Sequence, residues 1–233
     1  MSRTFETLFR APYAAPNGLQ ATDDGLWIVD QLTDRVALVE MGEPHEFGAT
    51  RILAEISTES SNSSGMAYGG GSLWIAANGP GRLWRTSRDT DAQDGEILRV
   101  DPASGRTVSR HSLPGGGGTH GIEYDQYEDG IVWLTTLHQD TISKVRISDW
   151  TVLHTIPLTH GGGHGIVRVE DGIWIAHRQD RVFLKLDLQD GHEMDRIENL
   201  APLPEAHGLT SYEGDLIYCD ASTGSVVRIS VGR

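Results

Sequence analysis

A short pattern recurs five times along the 233-residue chain and constrains its fold more than any other feature. Each repeat opens with a residue followed by Gly, and about ten residues later a Trp or Ile lies in a short apolar strand, as from His164 to Trp174. The repeats start at positions 17, 64, 120, 164 and 207, so successive starts are 47, 56, 44 and 43 residues apart. Such spacings are typical of four-stranded propeller blades. The sequence therefore predicts an all-β, five-bladed β-propeller over residues 1–233, as a single domain.

The two ends of the chain are predicted to form one blade together. The fifth repeat begins at His207, continues through strands at Leu216 to Asp220 and Val226 to Ser230, and then lacks a fourth strand. Residues 3–10 alternate with the period of two that is typical of a strand, and they belong to no repeat. We expect this N-terminal strand to pair with the last blade, which closes the ring.

Charge and cysteine content narrow the classes of partner. The formal net charge of −14 would repel nucleic acid and anionic membrane surfaces, so neither is an expected partner. The single cysteine, Cys219, cannot form an internal disulfide, which fits a reducing compartment. No apolar run approaches the length of a membrane span, and the N-terminus has no secretory signal pattern. We expect a cytoplasmic protein that acts on a small molecule.

The repeats also predict where side chains converge. In a propeller the innermost strand of each blade lines the central channel, and a Gly after each repeat-opening residue allows the backbones to crowd near the axis. The repeat-opening residues are then expected to form a ring at one mouth of the channel: Asn17, Ser64, His120, His164 and His207.

Three histidines in this ring suggest a metal centre. Neutral imidazoles held at fixed points are good ligands for a divalent metal and leave positions open for water and substrate. We expect His120, His164 and His207 to bind Zn, Mn or Fe(II), with Ser64, Asn17 or a water completing the coordination, and we expect no organic cofactor. The alternative is that each His caps a strand by a hydrogen bond to the neighbouring blade.

A second circle of polar residues follows the second strand of each blade on the same face. His177 and His138 are candidates for the general acid or base, although each could instead bind the loop backbone. Asp30 and Asp220 are expected to face the substrate or orient the imidazoles, or else to cap their turns. Substrate-binding residues are expected among Asn17, Ser64, Asp30, Asn78 and Asp220. His160 is a candidate fourth metal ligand, or a residue that supports the ligands.

An insertion in the second repeat leaves from the same face. It spans residues 79–94 and carries Arg82 and Trp84, which we count among the candidate substrate-binding residues. Its length is compatible with a lid over the channel mouth or with a loose surface loop.

The repeated His-Gly-Ile, Leu/Ile-Trp-Ile and Val-x-Arg-Ile segments resemble the virginiamycin B lyase-like propellers, as at His120-Gly-Ile, Gly172-Ile-Trp-Ile and Val226-Val-Arg-Ile. A weaker similarity, through Asn17-Gly18-Leu19 and Leu26-Trp-Ile-Val-Asp30, links the chain to the gluconolactonase and senescence marker protein family. The likeness covers nearly the whole chain as a repeat pattern. The chain differs from both families in its five repeats, and its three-His ring matches neither site residue by residue.

These resemblances imply different reactions at one site. The lyase resemblance implies a metal that polarises a carbonyl while a base removes the adjacent proton, and His177 or His138 would serve as that base. The gluconolactonase resemblance implies a metal-bound hydroxide that attacks a lactone. A third hypothesis is a non-catalytic propeller that binds a peptide or protein. We expect a metal-dependent lyase, with a hydrolase and a binding module as the alternatives.

Overall fold

The computed structural model describes residues 3–42, 48 and 50–231 and contains five four-stranded antiparallel sheets. Their innermost strands contact one another in a closed cycle, so the sheets are the blades of a five-bladed β-propeller. The fold class predicted from the repeat spacing is confirmed. Within the described residues, no helix has the length and hydrophobicity of a membrane span. The cytoplasmic location stays a prediction.

Each of the first four blades is a meander of four consecutive strands. Blade 1 contains β2 (Pro16–Thr22), β3 (Gly25–Asp30), β4 (Arg35–Val39) and β5 (Ile52–Ser57), and blade 2 contains β6 (Ser63–Gly69), β7 (Ser72–Ala77), β8 (Glu96–Val100) and β9 (Thr107–Ser112). Blade 3 contains β10 (Ile122–Tyr124), β11 (Ile131–Thr136), β12 (Thr141–Arg146) and β13 (Thr151–Pro157). Blade 4 contains β14 (Gly163–Val169), β15 (Gly172–His177), β16 (Val182–Leu186) and β17 (Glu193–Glu198). A short 3₁₀ turn, Gly81–Leu83, lies in the insertion of blade 2.

The fifth blade combines the two ends of the chain. It contains β18 (Leu209–Tyr212), β19 (Asp215–Cys219) and β20 (Ser225–Ser230), and its outermost strand is β1 (Thr4–Arg10). β1 runs antiparallel to β20, from the pair Thr4 and Ser230 to the pair Arg10 and Ser225. The predicted closure by the N-terminal strand is therefore confirmed.

The apolar core is divided into five clusters, and each cluster joins two neighbouring blades. In blades 1 to 4 the Trp of the second strand packs into the next blade around the ring: Trp74 lies with Val132 and Leu134, and Trp174 lies with Leu216 and Tyr218. All four tryptophans at this position are at most 7% exposed. The blade-period tryptophans therefore serve packing between the blades.

A ring of glycines closes the axis of the propeller. The glycine that follows each repeat-opening residue touches the backbone of the next blade. A Cβ placed on Gly121 would lie 2.3 Å from the carbonyl oxygen of His164, and one on Gly165 would lie 2.3 Å from the amide nitrogen of Leu209. The axial space is too narrow for a water molecule. The two mouths of the channel are therefore separate from each other.

This packing makes the axial glycines intolerant of side chains. We predict that Gly121→Ala lowers the free energy of unfolding by about 1–3 kcal/mol or more, because the added methyl group meets fixed backbone rather than a movable side chain. Gly161→Ala is the matched control, since a Cβ there meets nothing within 4 Å. Urea unfolding of both variants measures the difference. Equal stability of the two variants would show that the blades do not meet at the axis as described.

Candidate functional site

The candidate site is a cleft of about 310 Å³ at the channel mouth where the inner strands begin. His164 lies in β14, and His120 and His207 lie just before β10 and β18, so the start of three successive inner strands brings one imidazole each. The cleft is lined by Ala15, Asn17, Gln31, Trp84, His120, His164, Arg178, His207, Ala221 and Ser222. The regular spacing of the repeats therefore brings together three side chains that are distant in sequence.

The three imidazole rings contact one another. The rings of His120 and His164 are stacked, with centroids 4.1 Å apart and planes inclined by 19°. The ring of His207 meets His164 edge-on, with centroids 5.2 Å apart and planes at 86°. His164 is thus the central ring, with one histidine against its face and another at right angles to it.

Burial keeps these histidines neutral. Desolvation, followed by repulsion from His207, lowers the pKa of His120 from 6.5 to about 4. Desolvation is also the largest cause that lowers the pKa of His164 and of His207. At neutral pH the cleft therefore contains three uncharged imidazoles, each able to accept or donate a hydrogen bond.

Hydrogen bonds to the ring nitrogens set the tautomers of the two outer histidines. The backbone N–H of Ala221 donates to Nδ1 of His207 at 3.2 Å, which leaves the proton of that neutral ring on Nε2. The amide Nδ2 of Asn78 lies 3.5 Å from Nδ1 of His120, a longer contact of the same kind. This pattern assigns N–H donors at Nε2 to His207 and His120.

The central histidine and a neighbouring asparagine are left without partners. Nδ1 of His164 and Oδ1 of Asn17 are sealed from solvent and form no hydrogen bond in the described part of the chain. Asn17 is 2% exposed and His164 is 7% exposed. A buried polar atom without a partner costs about 1–3 kcal/mol, so each such atom calls for an explanation, of which a bound molecule is one. Both residues line the same cleft.

Arg178 brings positive charge to this cleft. It is exposed, and its Nε donates to Oε2 of Glu205 at 2.9 Å. Its charge also contributes to the lowered pKa of each of the three histidines, which places it within electrostatic reach of all of them. The cleft can therefore stabilise negative charge on a bound molecule.

The insertion of blade 2 forms one rim of the cleft and is fixed in place. Arg85 donates to Oδ2 of the fully buried Asp34 at 2.7 and 2.9 Å and to both carboxylate oxygens of Asp91. These bonds to Arg85 lower the pKa of Asp91 to about 2. Trp84, which is 47% exposed, donates from Nε1 to Asn62 at 2.8 Å and lines the cleft. The insertion is therefore an anchored wall that presents an indole.

Three other predicted substrate-binding residues, Ser64, Asn78 and Arg82, do not line the cleft. Ser64 is fully buried, and its hydroxyl donates to the carbonyl oxygen of Thr119 and lies 3.2 Å from that of Ala76, so it contacts the backbone just before His120. Asn78 also accepts a hydrogen bond from the backbone N–H of Thr119 at 2.7 Å and so helps to position His120. Arg82 is exposed on the 3₁₀ turn and does not line the cleft.

The side chains of Asp30 and Asp220, both predicted to bind substrate, form hydrogen bonds within turns and loops instead. Oδ2 of Asp30 accepts hydrogen bonds from the amide and hydroxyl of Thr33, and its Oδ1 accepts the amide of Ala15. Asp220 accepts the amide of Ser222, the hydroxyl of Thr223 and the amide of Glu205. These bonds account for the burial of both carboxylates without a substrate, which favours the turn-capping alternative.

The predicted acid–base histidines are not brought to the cleft. His138 is exposed in the turn after β11, and His177, at the end of β15, is 1% exposed and lies 5.2 Å from the ring of His160. His160 bonds to Asp180 through Nδ1 at 2.7 Å. None of the three lines the cleft. The residue that does so is Arg178, which follows His177 directly. Because successive side chains of a strand point to opposite faces, Arg178 faces away from His177, and this alternation could have predicted its place in the cleft.

The chemistry of the three histidines suits a metal, but their arrangement does not. A metal lies in the plane of each ligating imidazole, and the nearly parallel planes of His120 and His164, stacked with centroids 4.1 Å apart, do not converge within bonding distance of both rings. Nδ1 of His207 already accepts a hydrogen bond. Among the described residues, three donor atoms within 4.8 Å of one another occur at Asp187, Asp190 and His192, an exposed turn whose members bond to each other. The three-histidine metal centre therefore stays a prediction.

Comparison with known proteins identifies the fold and no closer relationship. No family model matches the sequence, and no curated protein matches it. Glutaminyl cyclase from Myxococcus xanthus superposes with a TM-score of 0.65 at 10% identity, covering 97% of this chain and 98% of that one. A streptogramin B lyase gives 0.55 at 17% identity, covering 98% and 72%. Virginiamycin B lyase from Staphylococcus aureus gives 0.53 at 14% identity, covering 100% and 75%. The resemblance to the virginiamycin B lyase-like propellers is confirmed at the level of the fold.

Burial of the histidines predicts acid sensitivity. Burial lowers the pKa of His177 from 6.5 to about 4, so between these values the unfolded chain binds more protons than the folded one. The free energy of unfolding should therefore be highest above about pH 6.5 and fall as the pH decreases towards about 4, by at most about 1.4 kcal/mol per pH unit for one imidazole. His177→Leu should show a shallower fall in urea unfolding between about pH 7.5 and about pH 5. Parallel losses in the two proteins would contradict a neutral, buried His177.

Proposed function

We propose that the chain is a small-molecule enzyme that works by proton transfer at the histidine cleft, with elimination as its reaction. One observation carries the proposal. Three neutral imidazoles, two buried and that of His120 half-buried, meet in a cleft where hydrogen bonds fix two of them as N–H donors and leave the central one, His164, unpartnered. An uncharged imidazole can accept a proton at neutral pH, even though burial lowers the pKa of His164, and N–H donors beside it can stabilise developing negative charge.

The roles follow from the accessible atoms. Nδ1 of His164 is sealed from solvent, so Nε2 is the atom with access to a bound molecule. It accepts a proton from a carbon adjacent to a carbonyl, and the electron pair of that bond delocalises onto the carbonyl oxygen. Nε2–H of His207 and the guanidinium of Arg178 stabilise the enolate oxygen. The enolate then forms a carbon–carbon double bond and expels the leaving group from the next carbon. The leaving group departs with the electron pair of its bond, and the proton stays on His164.

The remaining lining residues position the molecule. Asn17 lines the cleft, and its side-chain amide offers both an acceptor and donors to a substrate. The indole of Trp84 offers an apolar face at the rim. The solved structures of similar fold include a streptogramin B lyase, which supports elimination as the first reaction to test.

Activity of variants tests the proposal. A panel of small carbonyl compounds with a leaving group on the β-carbon, streptogramin B among them, is incubated with the protein in ¹⁸O-water. We predict a new ultraviolet-absorbing alkene without incorporated label, and a kcat lower by about 100-fold or more in His164→Gln, because the base is lost. Arg106→Ala, an exposed change outside the cleft, is the control.

The alternative outcomes are distinguishable. A product that carries the ¹⁸O label indicates hydrolysis and contradicts elimination. Full activity in His164→Gln contradicts the assignment of the base. Saturable binding without turnover of any compound indicates a binding module and overturns the enzymatic proposal.

The same preparations test the predicted metal. Under about a tenth of an equivalent of transition metal in protein made without a His-tag, with activity retained after chelation, would rule out the predicted metal centre. One equivalent that is lost in His164→Gln would instead establish the three-histidine metal centre. The proposed elimination has no step that passes through a metal.

A further inference from the structure

A second cavity lies between blades 3 and 4, on the face opposite the histidine cleft. Its volume is about 280 Å³, room for roughly nine water molecules. It is lined by Asp125, Glu128, Trp133, Lys144, His154, Arg168, Leu188 and Gln189. Asp125 and Glu128 lie in the turn that follows β10, at the end of this strand remote from His120. The cavity shares no lining residue with the histidine cleft.

The internal repeat shows that this blade junction is unlike the junctions between blades 1 and 2 and between blades 2 and 3. Four residues after the repeat-opening residue, blades 2 and 3 carry Tyr68 and Tyr124. Tyr68 stacks on Trp27 of the preceding blade, with centroids 6.5 Å apart, and Tyr124 packs against the cluster that contains Trp74. These tyrosines cover the tryptophan of the preceding blade.

Blade 4 has Arg168 at this position, which leaves Trp133 of blade 3 without an aromatic cover. The guanidinium of Arg168 lies 4.7 Å from the ring centroid of Tyr127, and Nη1 donates to the carbonyl oxygen of Gly172 at 3.0 Å. Blade 4 thus has an arginine where blades 2 and 3 have a tyrosine, and this arginine adds a charge to the wall of the cavity.

Two nitrogen atoms in this wall have no partner. Nε of Arg168 and Nε2 of His154 are sealed from solvent and form no hydrogen bond in the described part of the chain. Arg168 is only 7% exposed. Its Nε lies 3.6 Å from Oδ2 of Asp125, which is too long for a hydrogen bond. An arginine buried to this extent with an open N–H calls for an acceptor.

The carboxylate of Asp125 is already engaged. It accepts hydrogen bonds from the indole Nε1 of Trp133 at 2.8 Å and from the amides of Tyr127 and Glu128. Lys144 pairs with Glu128, and its ammonium lies 5.7 Å from the ring centroid of Trp133. The hydrogen-bonding groups of the wall that remain unused are therefore donors. The ammonium of Lys144 is a second cation, close to Trp133.

We propose that this cavity binds a small organic carboxylate, with the carboxylate on Arg168 and Lys144 and an apolar body between Trp133 and Leu188. The carboxylate pairs with the part of the Arg168 guanidinium that lines the cavity, and charge-assisted bonds of this kind are the stronger ones. The apolar body takes the place that a tyrosine fills in blades 2 and 3. The proposal concerns a separate site and does not depend on the enzymatic proposal.

Three probes of one shape test the charge preference of the site: benzoate, benzamide and benzylamine. The readout is the indole ¹H–¹⁵N signal of Trp133, assigned by its loss in Trp133→Phe. We predict a saturable shift with benzoate and a Kd on the order of 1 mM, the range that such small fragments reach. Benzamide should bind more weakly, and benzylamine should bind most weakly.

Variants locate the response. Lys144→Met and Arg168→Met should each raise the Kd for benzoate by about tenfold or more. Leu188→Trp, which fills the cavity from the other wall, should abolish the shift if Arg168→Met does not fold. Arg99→Met is the matched control, because Arg99 lies over Trp74 of blade 2 at 5.5 Å, as Lys144 lies over Trp133. This control should leave the Kd for benzoate unchanged.

Several results would overturn the proposal. An unmoved Trp133 signal at about 20 mM benzoate would show that only water fills the cavity. Tighter binding of benzylamine than of benzoate would indicate a cation site. A benzoate response at the indole of Trp84 with none at Trp133 would assign the ligand to the histidine cleft instead.

Discussion

The close approach of five glycines at the axis is the constraint on which the rest of the structure depends. Each touches the backbone of the next blade, and the contact returns to the first blade at the last glycine, since a Cβ placed on Gly208 would lie 2.9 Å from Cα of Gly18. Because no side chain separates the inner strands there, the residues that precede the glycines also crowd together. The histidine cleft is a consequence of this packing, since His120, His164 and His207 each precede an axial glycine.

Crowding explains the electrostatics of the cleft as well. Imidazoles in contact with one another and shielded from water cannot all be protonated, and desolvation is the largest cause of each lowered pKa. Neutral rings then differ only in where their single proton lies, and the neighbouring backbone and Asn78 decide this for His207 and His120. The fold thus places donors on two sides of one unpartnered ring.

Much of this architecture could be predicted from the sequence, because each repeat identifies one blade and the position in it that lies next to the axis. The strand that closes the ring was predictable from one missing strand and one surplus strand. The contacts of individual side chains were not. Asp30 and Asp220 satisfy their own turns, and a register difference of one residue places Arg178 rather than His177 in the cleft. The cavity beside Arg168 depends on which atoms remain unpaired, and spacing carries no information about that.

The state of the three imidazoles is the most direct test of this account. Long-range ¹H–¹⁵N NMR of ¹⁵N-histidine-labelled protein reports the tautomer and protonation of each ring. We predict that each ring becomes charged only below the ordinary histidine pKa of about 6.5, and that neutral His207 and His120 carry their proton on Nε2. We also predict that mutation of any one ring shifts the signals of the others, because they are in contact. Three rings that become charged independently near the ordinary histidine pKa would contradict this account, since they would then be solvated and apart.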